Sequence, residues 1–211
     1  MINNAITQTK DTQMSISPSL AKNLLADGNQ RFVENGQLDR SLLTQVSETA
    51  TGQYPFAAIV SCIDSRIPTE VVFDQGIGDI FNARVAGNFI NDDIIGSLEF
   101  ACKVAGSKLI VIMGHTSCGA VKGACDKVEL GKLTGMLAKI NPAVDAIKTE
   151  EGEARDSSNI TFVNNVAVEN VKLNIAKLKE DSQVLNEMFV NNEIDIVGAM
   201  YDVKSGTVSW L

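Results

Sequence analysis

Residues 108–118 read KLIVIMGHTSC. From Leu109 to Met113 every side chain is apolar, with neither strand alternation nor helical spacing. A short unbroken apolar run predicts a strand covered on both faces, as in the middle of a parallel sheet. The run then ends and delivers His115 and Cys118. A second run, FAAIV at 56–60, is followed by SCIDSR at 61–66. Two buried strands are therefore expected, each ending in reactive side chains.

The rest of the chain supplies helices around these strands. Ser17-Pro18 reads as an N-cap with proline at the first helical position, and Leu20, Leu24, Leu25 and Phe32 follow at helical spacing up to a stop at Gly36. A second, weaker helix is expected between Asp39 and Gly52. Ile80 to Val85 reads as a strand, and DDIIGSLEFACKVAG (92–106) as one helix with an acidic start and a glycine stop. GHTSCGAVKGA opens another helix. Leu130–Ile147 and Asn159–Lys179 read as long helices, and Ser182–Val190 as a short one. EIDIVGAMYD (193–202) reads as a strand, and GTVSWL (206–211) as a terminal strand entered by a tight turn at Ser205-Gly206. Strands alternating with helices predict an α/β fold: a central, mainly parallel β-sheet flanked by helices.

The 211 residues suit one sizeable domain, and 45% hydrophobic residues is ordinary for a globular chain. No apolar run is long enough to span a bilayer. The polar opening, MINNAITQTKDTQMSISP, lacks a basic region and an apolar core, so no signal peptide is expected. A net charge of −8 argues against nucleic acid and against anionic membrane surfaces as partners. The four cysteines, Cys62, Cys102, Cys118 and Cys125, do not make a disulfide framework at this length. A cytoplasmic location is expected.

In open α/β sheets, ligands gather beyond the carboxyl ends of the strands. If the two strands are neighbours, Cys62, His115 and Cys118 converge there. Two thiolates and one imidazole suit Zn2+, and three protein ligands leave the open position of a catalytic rather than a structural site. Cys125 and Cys102 are not expected to join them. Zinc in such a site acidifies bound water and yields a hydroxide nucleophile. Asp64, two residues from Cys62, is placed to accept the hydroxide proton, and Arg66 to keep Asp64 ionised by a two-pronged pair. Asp64 could instead ligate zinc and close the site. His115 is the only histidine. As a ligand it leaves no second imidazole to carry protons away. Singly, a cysteine or histidine after a strand is usually a packed core or loop residue. The conjunction of both clusters carries the zinc reading.

The chain resembles the β-class carbonic anhydrases. CIDSRIPTEVVFDQGIGDIFNARVAGN is similar to the family's C-x-D-S-R block with G-D-x-F…R-x-x-G-N downstream, and GHTSCGA to its G-H-x-x-C-G block. LADGNQRF and VGAMYDVKSGTVSWL also match its patterns, so the likeness covers most of the chain from about Leu20. The resemblance implies one Zn2+ per chain on Cys62, His115 and Cys118, with Asp64 and Arg66 orienting its hydroxide. It implies reversible hydration of carbon dioxide to bicarbonate and a proton. It implies a single domain, with a helical arm at 1–50 and a catalytic α/β core at 53–211, assembled as a homodimer or tetramer. Gln53 matches a substrate-reaching glutamine of the plant-like subgroup. Phe81, Ala86 and Phe100 match pocket walls, and Gly119 a backbone N–H donor. Phe100 stands where the family often has tyrosine, and Val85 where it commonly has asparagine. One subgroup builds a regulatory bicarbonate pocket on a tryptophan at the position of Ile59. No such pocket, and an open resting site, are therefore expected. The motifs do not separate carbon dioxide from carbonyl sulfide or carbon disulfide as substrate. A non-catalytic zinc or thiol-redox protein is a further alternative, against which the Asp64–Arg66 pair argues.

Overall fold

The computed structural model describes residues 5–211. Its elements are α1 (Lys10–Ser15), α2 (Pro18–Val33), α3 (Leu42–Thr49), β1 (Ala57–Ser61), α4 (Thr69–Val72), β2 (Ile80–Arg84), α5 (Asp92–Glu99), a π-helical turn (Phe100–Val104), β3 (Leu109–His115), α6 (Gly119–Cys125), α7 (Gly131–Leu137), α8 (Asn141–Ala146), α9 (Ile160–Asp181), α10 (Gln183–Val190), β4 (Asp195–Tyr201) and β5 (Val208–Trp210). They form an α/β fold around one five-stranded sheet of order β2-β1-β3-β4-β5. The first four strands in that order are parallel, and β5 is antiparallel to β4.

The apolar runs occupy the middle of the sheet. Every residue of β1 and β3 is buried, so both faces are covered and no polar alternation is needed. In register, Ala57 faces Leu109 and Val60 faces Ile112. Cys62 and His115 therefore leave neighbouring strands at the same end. Helix α9 lies close against β3 and β4. A Cβ on Gly114 would stand 2.9 Å from Val171 and 2.8 Å from Met200, so only glycine lets the helix approach this far.

Helix ends follow local chemistry. Ser17 caps α2 by accepting from the Leu20 N–H (3.2 Å), as its sequence predicts. The helix ends at Val33, three residues before the expected Gly36. Asn35 takes the left-handed conformation (φ 55°), and the Gly36 N–H then closes onto the Arg31 carbonyl at 2.8 Å. The polar opening segment also holds a short helix, α1, which its composition hid. Thr9 caps it by accepting from the Thr12 N–H.

Two expected helices are broken. The span 92–106 is α-helical only to Glu99. It then widens into a π turn in which Ala105 bonds back to Phe100. The span 130–147 divides into α7 and α8. Lys139 and Ile140 tighten onto the carbonyls three residues back, and Pro142 begins a new helix because it lacks the N–H needed to continue the old one. The expected final turn forms: Gly206 takes φ 78°, and its N–H reaches the Asp202 carbonyl at 2.8 Å. Helix α2 packs Ala21, Leu24 and Leu25 into the same core as the sheet. No helix among the described residues is long and apolar enough to cross a membrane.

Candidate metal centre

Beyond Ser61 the chain leaves the sheet and places Cys62 on the carboxyl end of β1. Arg84, at the end of β2, donates to the Cys62 carbonyl (2.9 Å) and to the Asp64 carbonyl (2.6 Å), which holds this turn to the sheet edge. At the end of β3, Ser117 takes φ 56° and its N–H donates to Asn164 Oδ1 at 2.9 Å. That sharp turn brings Cys118 back beside His115. The sulfurs of Cys62 and Cys118 and a ring nitrogen of His115 all lie within 4.8 Å of one another, and all three residues are buried. Cys102 and Cys125 are buried elsewhere, and burial pushes both thiols up, to about 12 and about 11.

The donor set fits a metal ion. Nδ1 of His115 lies 3.0 Å from the Thr116 carbonyl, which fixes it as the protonated nitrogen. Nε2 is then a buried lone pair with no hydrogen-bond partner. Such a group is costly in a protein interior unless something accepts the lone pair. The thiols are prepared in the same sense. The Cys118 thiol beside Cys62, together with the Gly87 N–H, favours the Cys62 thiolate and lowers Cys62 to about 4 despite its burial. Cys118 is raised in turn by the Cys62 thiolate and by burial, so the pair shares one proton. The Ala120 and Val121 amides at the start of α6 face the Cys118 sulfur and favour its ionised form. A dication would replace the shared proton and satisfy both sulfurs and Nε2 at once.

Asp64 stands over this group, with Oδ2 3.9 Å from His115 Nε2. Arg66 grips it as a fork: Nε to Oδ1 at 2.9 Å and Nη2 to Oδ2 at 2.7 Å, with the Arg66 N–H adding 3.0 Å to Oδ1. These bonds hold the carboxyl well below the usual carboxylate range, the guanidinium fork contributing most. Tyr201, opposite His115 in register, closes the β4 side, and burial raises its phenol.

Of the expected pocket residues, two lie here. Ala86 adjoins Gly87, whose N–H donates to Cys62 Sγ at 3.4 Å. Gly119 opens α6 directly after Cys118 and is exposed. The other three are not brought to the metal centre within one chain. Gln53 precedes β1, at the opposite end of the strand from Cys62. It lines a cavity of about 440 Å3 with Lys10, Gln13 and Lys108. Phe81, near the amino end of β2, meets Phe100 edge-on (6.2 Å, 66°) in a groove of about 520 Å3 along the outermost strand. Ile59 is fully buried in β1, and Trp210 stacks on Phe73 away from the site. Sequence reasoning passed over Arg84, Gly87, Asn164 and Tyr201. For Arg84, Gly87 and Tyr201 the signal was the pattern around NARVAGN and VGAMYD, which marks positions without stating contacts; Asn164 carried no such signal.

Comparison with known proteins follows this geometry. Residues 57–208 match the family model described as carbonic anhydrase. Carbonic anhydrase 2 of Mycobacterium tuberculosis is 33% identical over 196 residues, covering 90% of this chain and 91% of its own. The β-carbonic anhydrase CafA of Aspergillus fumigatus superposes with a TM-score of 0.69 at 28% identity, over 92% of this chain and 88% of its own. A shorter likeness, 35% over 77 residues, links 34% of this chain to 36% of the carbon disulfide hydrolase of Acidithiobacillus thiooxidans.

Proposed function

We propose a zinc-dependent mechanism for this chain, which belongs to the β class of the carbonic anhydrases and is a carbonic anhydrase. The observation that carries it is the buried, partnerless Nε2 of His115 on a ring clustered with the Cys62 and Cys118 sulfurs. Cys62, His115 and Cys118 would hold one Zn2+, which when bound would supply an acidified water as nucleophile toward carbon dioxide.

Every other part falls to the chain. Asp64 is ionised and can only accept, so it takes the O–H of the nucleophile and turns a lone pair toward the substrate. Arg66 keeps both Asp64 oxygens engaged, which supports the open resting arrangement in which Asp64 stands off the metal. Ala86 walls the pocket and the Gly119 N–H binds a substrate oxygen. With His115 committed to the metal, the released proton leaves through water or buffer.

Gln53, Phe81 and Phe100 serve the substrate from a second copy. The outer edge of β2 is unpaired among the described residues, and Phe100 is 51% exposed beside it. A two-fold axis across that edge sets the amino end of one sheet against the carboxyl end of the other. Each copy's Gln53 and aromatic pair then meet its partner's metal centre. The working unit is a homodimer or a multiple of it.

The test is stopped-flow hydration with metal analysis. About one zinc per chain and fast hydration are expected, both lost in Cys62→Ser; zinc retained with slow hydration is expected in Asp64→Ala. Zinc near one per chain with hydration no faster than buffer sinks the reading. The likeness to a carbon disulfide hydrolase favours one second reading, attack on carbon disulfide or carbonyl sulfide by the same nucleophile. Turnover of these in place of carbon dioxide would select it.

A further inference from the structure

A buried polar chain in the core runs from α9 to Cys62. Asn170 and Asn174 lie one helical turn apart and are 1% and 5% exposed. The Ile90 N–H donates to Asn174 Oδ1 at 2.7 Å. Asn174 Nδ2 then donates to Asn170 Oδ1 (3.0 Å) and to the Asn170 carbonyl (2.7 Å). Asn170 Nδ2 donates in turn to the Gly87 carbonyl at 2.9 Å. Finally the Gly87 N–H donates to Cys62 Sγ at 3.4 Å. Each link fixes the orientation of the next carboxamide, because an oxygen that accepts leaves the nitrogen to donate.

Gly87 cannot reach this geometry alone. It sits at φ 81°, and a Cβ there would lie 2.5 Å from Ile140, so the position is wedged open only for glycine. A glycine has the widest backbone freedom of any residue, so its N–H points at the sulfur only if the peptide beyond it is tethered. That peptide is held at both ends: the Asn88 N–H donates to the Val85 carbonyl at 2.9 Å, and Asn170 Nδ2 holds the Gly87 carbonyl.

We propose that Asn170, oriented by Asn174, is a positioning residue for the metal centre: it holds the Gly87 N–H on Cys62 Sγ and so sets how much charge that thiolate gives the metal. This rests on Cys62 being a metal ligand. A hydrogen bond to the sulfur withdraws charge, keeping the metal a stronger Lewis acid and its water more acidic. Without the bond the thiolate donates more, and the pH at which activity rises moves upward.

The experiment uses the full chain loaded with cobalt(II). Wild type shows a thiolate-to-cobalt charge-transfer band. In Asn170→Leu, which keeps volume and removes the donor, that band shifts to longer wavelength, and because the Cys62 sulfur is no longer fixed in place metal affinity falls about 10- to 100-fold in chelator competition. The midpoint of the pH–rate profile rises in parallel. Val166→Ala, a buried change on the same helix, lowers stability but leaves the band in place. Asn174→Ala keeps the Asn170 donor but frees its carboxamide; it gives the same shift at smaller size, and it decides the matter if Asn170→Leu does not fold. An unmoved band and unchanged metal affinity in the folded variant would overturn the inference. No charge-transfer band in wild type would instead overturn the ligand assignment on which it rests.

Discussion

Two buried or half-buried carboxylates at opposite ends of the sheet are handled in opposite ways. Asp64, at the carboxyl end, is gripped by a guanidinium fork and lies far below its ordinary range. Asp79, before β2 at the amino end, is fully buried. It accepts only the Gly76 N–H (2.7 Å) through one oxygen, and its other oxygen has no partner. Burial raises it to about 6, although Arg40 acts to lower it. The difference separates function from packing. A carboxylate that must stay charged is given a cation and hydrogen bonds, whereas one that serves only to hold a loop tolerates neutralisation. The same division runs through the whole molecule. The carboxyl end assembles Cys62, His115, Cys118 and the Asp64–Arg66 pair within one chain, while the amino end carries Gln53 and the aromatic groove, which point away from it.

The largest effect expected is at the ligands. Cys118→Ser should abolish both zinc retention and hydration above the buffer rate, measured by metal analysis and stopped flow; retained activity would break the assignment of the carboxyl end. Next in size, Asp64→Asn should keep zinc but cost roughly 10²-fold or more in kcat, since it removes the accepting geometry and not the metal. If the amino end acts only through a partner copy, Phe100→Arg should yield monomers that hold zinc and turn over slowly. Sedimentation and stopped flow on one sample test this, and a fully active monomer would erase the distinction between the two ends. Gln53→Ala should raise KM about 10-fold or less with oligomer and zinc intact, the loss expected of one substrate contact.

The smallest effect is on stability. Asp79 has a folded value above its unfolded one, so the folded state binds the extra proton between about pH 4 and 6. Stability therefore falls as pH rises through that window. Asp79→Asn should flatten this slope and raise stability at pH 7 by roughly 2 kcal/mol, without changing hydration. Asp64 has the reverse sign: its folded value is depressed, so its contribution is complete above about pH 4 and is lost only in stronger acid. Denaturant melts at pH 4, 6 and 7 follow Asp79, and melts below pH 4 follow Asp64.

Much of this was legible before any coordinates. Leu109 to Met113 and Phe56 to Val60 had to be central strands, because an unbroken apolar run needs cover on both faces. The residues after each run announced their chemistry by type. Three things were not legible. The break at Pro142 and the π turn at Phe100 depend on how helix ends compete for backbone partners, which apolar spacing does not report. The Asn170–Gly87–Cys62 relay joins residues far apart in sequence, and a buried asparagine looks the same in sequence whether it caps a loop or aims an N–H. The remoteness of Gln53 from Cys62, nine residues away, follows from β1 being extended, which turns nearness along the chain into distance in space.

The sequence by itself determined which residues could hold a metal and which pair could orient its water, since those follow from side-chain type and from strand ends. Only the tertiary structure decided that Cys62, His115 and Cys118 meet, that His115 offers Nε2, and that the Cys118 thiol lies beside a Cys62 sulfur that ionises readily. Convergence depends on strand order and register, and a lone pair is left unpaired only by the walls that surround it.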